Sequence, residues 1–563
     1  MKVELARTRL KVSLPYNEHL VAMIAQVPGR TFNKKSKTWS VPVVHVKDVV
    51  EALGPFGCEF SDKVVELYRD QVKFFQKITR LKEGRFTEVE TQLLDKTDIP
   101  MYAYQRRGAG FMCAVNGLLG DQPGLGKTIQ VIAGTQLKQS KKVLIFCPSV
   151  IRSTWEEELQ KWSPDSTFVV VKGNPKQRLA LYKTDVTYYI LNYELVLRDL
   201  PILKSMEWDD IVCDESTVLA NHTAKTTKAI KKLKPLRKTA MTGTPLSNKP
   251  DDLWSPMDWL QPGLLGSYLE FVEKYCTTNR YGSVAGYKNL DKLSKIIEPY
   301  MLRRLKSEVL KDLPPKIYKN IRVDFTSEER RMYDNFENAL TDELKLQGVD
   351  NTRNLNSALV KMTRLSQLAD SGELVTGEKH GSKLDGLKSL LAILLEDPDT
   401  KTIIFTGYAA MAKILERELT KYNPLCIAGY VNDDDRTKNR HTFQEDNKHQ
   451  IMIMTSAGNM GLNLQRASSV IHYDLPWSIS GAEQREDRAH RNGQTGSVVV
   501  YRMLVKDTID EYKLFKLQGK KNYSDTVLGD KAVDTSGSEV DVDSLNAESY
   551  MEWCTKVTKR DNI

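Results

Sequence analysis

Residues 121–128, Asp-Gln-Pro-Gly-Leu-Gly-Lys-Thr, combine the residue types that can hold a phosphate. Glycine lets backbone N–H groups turn inward and approach an anion closely. The apolar run 129–133 reads as the start of a helix, whose N-terminus adds partial positive charge. Lys127 suits the β- and γ-phosphates, and the Thr128 hydroxyl suits Mg²⁺. The strict phosphate-loop pattern begins with glycine, where this chain has Asp121, so the stretch alone also fits a turn before an ordinary helix. The candidate ATP-binding set is Asp121, Gln122, Pro123, Gly124, Leu125, Gly126, Lys127 and Thr128.

Two further groups could complete that chemistry. Asp214 and Glu215 end an apolar run 86 residues after Thr128. At a strand end, Asp214 would sit on Mg²⁺ beside the phosphates and Glu215 would polarise the attacking water. Arg488 and Arg491, three apart, read as one face of a helix. That face is either a solvated basic surface or a pair of arginine fingers directed at a γ-phosphate, and spacing leaves both open.

These residues need rigid elements to position them. Apolar runs at 143–148, 186–191, 210–215 and 238–245 read as buried strands separated by helices, such as 153–161. That rhythm predicts a parallel sheet with helices on both faces. Residues 381–510 repeat it, predicting a second α/β lobe. Between them, 327–370 reads as charged and helical, with Leu359, Met362, Leu365 and Leu368 as its apolar stripe.

The N-terminal stretch reads as a small α+β module. Residues 12–14 start a strand, 17–26 form a helix, and 29–42 form a hairpin with a basic turn. Arg30, Lys34, Lys35 and Lys37 lie beside Phe32 and Trp39. Cations bind phosphates and flat rings stack on bases, so the hairpin suits nucleic acid; it equally suits a solvated hairpin whose rings fill its own core. Residues 61–83 read as a charged helix linking this module to the next. The tail from about 530 is acidic and rich in Ser and Gly, a composition expected to be mobile.

At 563 residues there is length for about three to four domains. The composition, 40% hydrophobic and 28% charged, is that of a water-soluble globular chain, and a net charge of +9 inclines it towards anionic partners. The seven cysteines form no C-x-x-C pair and several sit in apolar runs, reading as core residues of a reducing compartment. No apolar run reaches membrane-spanning length. The expectation is an intracellular protein without a membrane partner, in bacterial or host cytoplasm, with a nuclear setting still open.

With these motifs in place, the chain resembles a Swi/Snf-family motor of helicase superfamily two. Tyr104-Gln105 matches the glutamine motif that reads adenine, and 121–128 matches the family's D-x-x-G-L-G-K-T, where aspartate is normal. Pro148-Ser149 with Trp155 and Glu158, and Asn192-Tyr193-Glu194, match the next motifs. Thr242-Gly243-Thr244-Pro245, with Asn248 and Leu253-Trp254, matches the coupling motif. Leu302-Arg303-Arg304 and Leu313-Pro314-Pro315-Lys316 match the region ending lobe one. The run from Ser456 through Gly461-Leu462-Asn463-Leu464, and Gln484 to Gln494, match lobe two. Residues 29–42 resemble the HARP domain found ahead of the motor in annealing helicases, a compact bacterial or phage version being expected.

The resemblance implies two RecA-like parallel-sheet lobes with helical insertions, preceded by the α+β module. The implied boundaries are module 1–55, linker helix 56–98, lobe one 99–318, helical connection 319–380, lobe two 381–525 and tail 526–563. It implies ATP and Mg²⁺ as cofactors, with Thr128 and Asp214 on the metal. Lys127, Asp214, Glu215, Arg488 and Arg491 would be catalytic, and Gln105 would join the ATP-binding set. Thr242, Gly243, Thr244, Gly461 and Gln484 would couple hydrolysis to movement. Arg30, Lys34, Trp39, Arg152, Trp155, Thr455 and Trp477 would contact DNA.

The implied activity is DNA-dependent ATP hydrolysis and translocation on double-stranded DNA. Its role would be remodelling of forks or branched DNA in replication, repair or recombination, with a single-stranded-DNA-binding or replication protein as a further partner. Alternatives are a strand-separating helicase, a restriction-type motor subunit, or a nucleotide-gated DNA-binding protein without turnover. The last draws on a departure: Ser216-Thr217 follows Asp214-Glu215 where the family has histidine second. Trp477-Ser478-Ile479 replaces W-N-P, and Asn492 replaces isoleucine.

Overall fold

The computed structural model describes residues 1–95, 99–245, 250–278, 284–347, 352–377, 379, 381–455 and 463–517. It divides after Val309 into two compact units. Asn248, Gly461 and the acidic tail lie outside the described residues. No described helix is long and apolar enough to cross a membrane.

The first unit begins with a five-stranded sheet in the order Thr31–Asn33, Thr38–Pro42, Arg9–Ser13, Lys2–Ala6, Glu59–Phe60. Its strands alternate as a one-sided sheet must: Leu10 and Val12 are buried while Lys11 between them is exposed. Asn17 caps the helix Glu18–Ala25 by accepting the His19 and Leu20 N–H groups. Leu20 and Ile24 of that helix join Val3, Leu10, Val12, Val41 and Val49 in one core. This body runs past the expected boundary at 55. Strand Glu59–Phe60 pairs in parallel with Lys2–Ala6, and Val64 of the helix Asp62–Lys82 enters the same core. The far end of that helix fastens to the larger sheet domain, where Lys82 Nζ donates to Glu298 Oε1 at 2.6 Å.

The larger part of the first unit is a seven-stranded sheet. Its order is Met301–Leu302, Gly117–Leu119, Arg237–Met241, Asp210–Asp214, Val143–Cys147, Tyr188–Asn192, Phe168–Val170, and every pairing is parallel. Strands Val143–Cys147 and Asp210–Asp214 are buried at every position because helices cover both faces. This order brings the C-terminal ends of Gly117–Leu119, Arg237–Met241 and Asp210–Asp214 side by side. Ligands of open parallel sheets bind at such strand ends.

The second unit holds a six-stranded sheet, again parallel throughout. Its order is Ile317–Val323, Val499–Val505, Ser469–His472, Thr402–Phe405, Ile451–Met454, Leu425–Ile427. Here the structure corrects the expected boundaries. The compact units divide after Val309 rather than at 318, and the edge strand Ile317–Val323 runs across the start of the segment 319–380 expected as a helical connection. That strand, Ile-Tyr-Lys-Asn-Ile-Arg-Val, is largely exposed and mixes apolar with charged and polar residues, so it lacks the continuous apolar run of the buried strands. Behind it, buried Lys383 Nζ bridges Asp370 Oδ1 at 2.9 Å and Asp510 Oδ2 at 2.7 Å, tying the helix Thr352–Asp370 to the C-terminal end of the sheet.

The α+β module is seated on the first unit's larger domain through Gly29. Its φ is +68°, and a Cβ there would lie 2.9 Å from Pro42 Cγ and 3.4 Å from the Gly263 carbonyl. His45 adds a contact of 3.2 Å to the same carbonyl. Gly29→Ala is therefore expected to lower stability by about 1–2 kcal/mol from the left-handed backbone alone. Thermal unfolding of the full chain should show the fall, and an unchanged melting temperature would contradict this seating.

Candidate nucleotide site and arginine turn

The glycine loop lies between strand Gly117–Leu119 and helix Lys127–Leu137. Gly124 and Gly126 take φ of +89° and +73°. A Cβ on Gly126 would come 2.5 Å from Gln105 Nε2, so this turn needs glycine for both angle and space. Gln105 braces the loop. Its Nε2 donates to the Leu125 carbonyl at 3.2 Å while its Oε1 accepts the Tyr102 N–H at 3.0 Å. Lys127 Nζ donates to the Asp121 carbonyl at 2.9 Å, and Thr128 follows it in the first turn of the helix.

Asp121, Gln122 and Pro123 have structural work that sequence reasoning missed. The Asp121 carboxylate is fully buried. It accepts from Arg304 Nε at 2.9 Å, from Arg304 Nη2, and from Gln130 Nε2 at 3.0 Å. Arg304 Nη2 also donates to Gln130 Oε1 at 2.7 Å. Gly108 makes room for this cluster, since a Cβ there would fall 1.7 Å from Gln130 Oε1. Gln122 Oε1 accepts the Lys306 N–H at 2.8 Å. The departure from glycine at position 121 thus supplies a buried anchor, and the arginine that answers it lies 183 residues away.

The acidic pair stands at the end of strand Asp210–Asp214. Asp214 Oδ2 accepts from Trp155 Nε1 at 2.9 Å, and Oδ1 accepts the Glu215 N–H at 2.8 Å. Burial, then the adjacent Glu215 charge, pushes the Asp214 carboxyl up to about 7. Trp155, Lys127 and the Glu215 N–H oppose the rise. Two crowded carboxylates in a buried setting form an environment that a divalent cation stabilises. Glu215 sits in the left-handed region at φ 49°, ψ 53°. This costs of order 1–3 kcal/mol and marks a constrained turn. Its Oε2 lies 3.4 Å from Thr242 Oγ1.

Thr242, Gly243 and Thr244 follow the intervening strand and touch both neighbours. Thr242 Oγ1 accepts the Thr244 N–H at 3.2 Å. A Cβ on Gly243 would lie 2.5 Å from Pro123 Cγ, and one on Gly120 would lie 2.7 Å from Pro245 Cγ. The coupling segment is thus packed directly on the glycine loop while its threonine reaches Glu215.

In the second unit the structure alters the reading of Arg488 and Arg491. Helix Ile479–Glu486 ends before them, and both lie in the turns that follow. Arg488 is buried, and its Nε donates to the Gln484 carbonyl at 3.0 Å; Arg491 Nε donates to the Asp487 carbonyl at 2.8 Å. The turn is cross-braced. Lys316 Nζ meets Glu486 Oε2 at 2.8 Å and Asp487 Oδ1 at 3.1 Å, Tyr318 donates to Glu486 at 2.8 Å, and His490 Nε2 donates to the Pro314 carbonyl at 2.7 Å. Burial would raise the Glu486 carboxyl, but Lys316 and His472 outweigh it and hold it well below the usual range.

The expected DNA contacts divide. Trp155 is corrected outright: at 1% exposure it is a buried positioning residue for Asp214. Thr455 is also buried, its N–H donating to the Ile427 carbonyl. Arg30 is turned to Val27 O at 3.3 Å and Glu270 at 3.5 Å. Arg152 Nε donates to Ser149 O at 3.1 Å, and Trp477 lies under Lys513 Nζ at 4.7 Å. Lys34 is exposed, and the half-buried Trp39 ring pairs with Phe32 at 4.9 Å.

The family described as the SNF2-related domain matches residues 37–374, and the helicase conserved C-terminal domain matches residues 382–493. The chain belongs to the SNF2 family. This SNF2 chain is 31% identical over 476 residues to an uncharacterized ATP-dependent helicase of Mycoplasma genitalium, covering 81% of this chain and 45% of that protein. It is 31% identical over 508 residues to the TATA-binding protein-associated factor MOT1 of Saccharomyces cerevisiae, covering 76% of this chain and 27% of that one. The SNF2 chain therefore spans less than half the length of these relatives. A solved SWI2/SNF2 ATPase core from Sulfolobus solfataricus in complex with dsDNA is 32% identical, covering 75% of this chain and 91% of that one, with a TM-score of 0.37.

Two outcomes follow from the buried charges. Arg304→Met leaves Asp121 buried without its cation and should cost about 3–5 kcal/mol in urea unfolding; a cost under about 1 kcal/mol would contradict the anchoring role. Glu486 has a depressed folded-state pKa, so its contribution is present above the unfolded value of about 4.3 and is lost as pH falls further. The melting temperature should drop between about pH 5 and pH 3, and Glu486→Gln should start lower at pH 7 and drop less. Parallel pH profiles would contradict this.

Proposed function

We propose that the SNF2 chain is a DNA-dependent ATPase that translocates on double-stranded DNA. The observation that carries this is the convergence, at three neighbouring strand ends, of the glycine loop, the Asp214–Glu215 pair and the Thr242–Thr244 segment. The donor set fits MgATP: left-handed glycines expose N–H groups, Lys127 brings an ammonium, and Thr128 and Asp214 bring oxygen ligands. MgATP supplies the phosphoanhydride and a Lewis acid when bound. Trp155 holds Asp214 in place, Glu215 orients water, and Thr242 senses Glu215 while Gly243 rests on the loop. Arg488 and Arg491 supply positive charge for the transition state.

The finer role we propose is remodelling of forks or branched DNA by a compact, HARP-like branch of the family, of bacterial or phage type. Supporting it are the exposed Lys34 and the Phe32–Trp39 ring pair, carried on a module seated firmly on the first unit. A replication or single-stranded-DNA-binding protein is the partner class that role implies.

The test is ATP hydrolysis with single-stranded, duplex, forked and four-way DNA. Duplex-containing DNA should stimulate hydrolysis without strand displacement. Lys127→Ala should abolish the stimulated rate, and Arg491→Ala should lower kcat by about a thousandfold, with DNA binding retained in both. Unchanged hydrolysis in Lys127→Ala would overturn the proposal.

A further inference from the structure

Between Ser216 and Pro250 the chain contains no acidic residue, yet residues 225–238 carry seven cations. Two of these have partners: Lys231 meets Asp258 at 2.7 Å and Lys238 donates to the Trp259 carbonyl at 2.7 Å. Lys225, Lys228, Lys232, Lys234 and Arg237 are exposed and form no ion pair among the described residues. Thr227, Ala229, Ile230 and Leu233 are buried between them. The segment is therefore pinned through its apolar side, with its charges facing water. Lys225 and Lys228 lie on the short helix Lys225–Ile230, and Lys232 and Lys234 follow it in the connection to strand Arg237–Met241.

The base of this segment is locked by rings. His222 packs on Tyr268 at 4.2 Å and on Trp254 at 5.5 Å, Trp254 and Tyr268 meet at 5.3 Å, and Lys231 lies 5.0 Å over Trp254. Burial first, then Lys231 and Lys228, holds His222 below its ordinary value, with Asp251 opposing. Tyr268 opens the helix Tyr268–Tyr275. The same helix and the turn before it seat the N-terminal module: Glu270 meets Arg30 at 3.5 Å, and Gly266, which accepts from Trp254 Nε1 at 3.1 Å, packs against Gly29. One short element thus anchors both the basic hairpin and the basic segment.

We propose that Lys225–Arg237 is a second nucleic-acid contact surface that grips a duplex phosphate backbone, held at fixed spacing from the N-terminal hairpin by helix Tyr268–Tyr275. Exposed lysines that form no ion pair among the described residues and follow one another along a single segment suit a repeating polyanion. This rests on the DNA-translocase reading and adds a site that the nucleotide chemistry does not use.

The test is the salt dependence of duplex binding by the full chain carrying Lys225→Ala, Lys228→Ala and Lys232→Ala together. Removing three phosphate contacts should lower the slope of log K against log salt by about 2–3. The DNA concentration giving half-maximal ATPase should rise, while hydrolysis without DNA stays unchanged. The matching triple Lys→Arg variant should keep the wild-type slope. A wild-type slope in the alanine variant, with wild-type protein binding DNA normally, would overturn this proposal alone. No duplex binding by wild-type protein would overturn it together with the translocase reading. Preferential binding of a polyglutamate peptide, with the same lysine dependence, would overturn it in favour of an acidic protein partner.

Discussion

The site depends on strand order. In the first unit, Gly117–Leu119, Arg237–Met241 and Asp210–Asp214 are adjacent and parallel, so their three following loops leave the sheet at one edge. Parallel neighbours require long crossovers, which is why loops so close in space are separated by scores of residues in sequence. With the coupling segment in the middle, Thr242 reaches Glu215 on one side while Gly243 rests on Pro123 on the other. A change on either side is felt by the same three residues.

Buried charge then fixes each loop. Asp121 begins the glycine loop but points away from it, into Arg304 and Gln130, making the loop an extension of a packed core. In the second unit Glu486 and Lys316 do the same for the arginine turn. In both pairs the carboxylate is buried, so removing its cation costs far more than a surface ion pair would contribute. Trp155 adds a third constraint by giving a buried carboxylate a directional donor.

Much of this was legible in the sequence. Apolar runs mark the central strands because strands covered on both faces need no polar positions; the glycine loop and the carboxylate pair show in residue type and order, while spacing leaves the arginine pair open and the family resemblance carries it. The rest was hidden for physical reasons. Strands Gly117–Leu119 and Met301–Leu302 are too short to show a pattern, and Ile317–Val323 is an exposed edge. The arginine pair was read as helical because three-residue spacing suits a helix and a turn alike. Trp155 is expected from its motif to contact DNA, because nothing local reveals a partner 59 residues away. Arg304 lay in a recognised motif, but its pairing with Asp121 is a property of the fold.

The central claim is that the three strand ends of the first unit form one nucleotide site. A crystal structure of the full chain with Mg²⁺ and a non-hydrolysable ATP analogue tests it directly. The account predicts Lys127 Nζ on the terminal phosphates and Mg²⁺ at about 2.1 Å from the Thr128 hydroxyl, with Asp214 bound to it directly or through one water. A triphosphate bound away from the glycine loop, or a metal there that leaves Asp214 engaged only with Trp155, would contradict it.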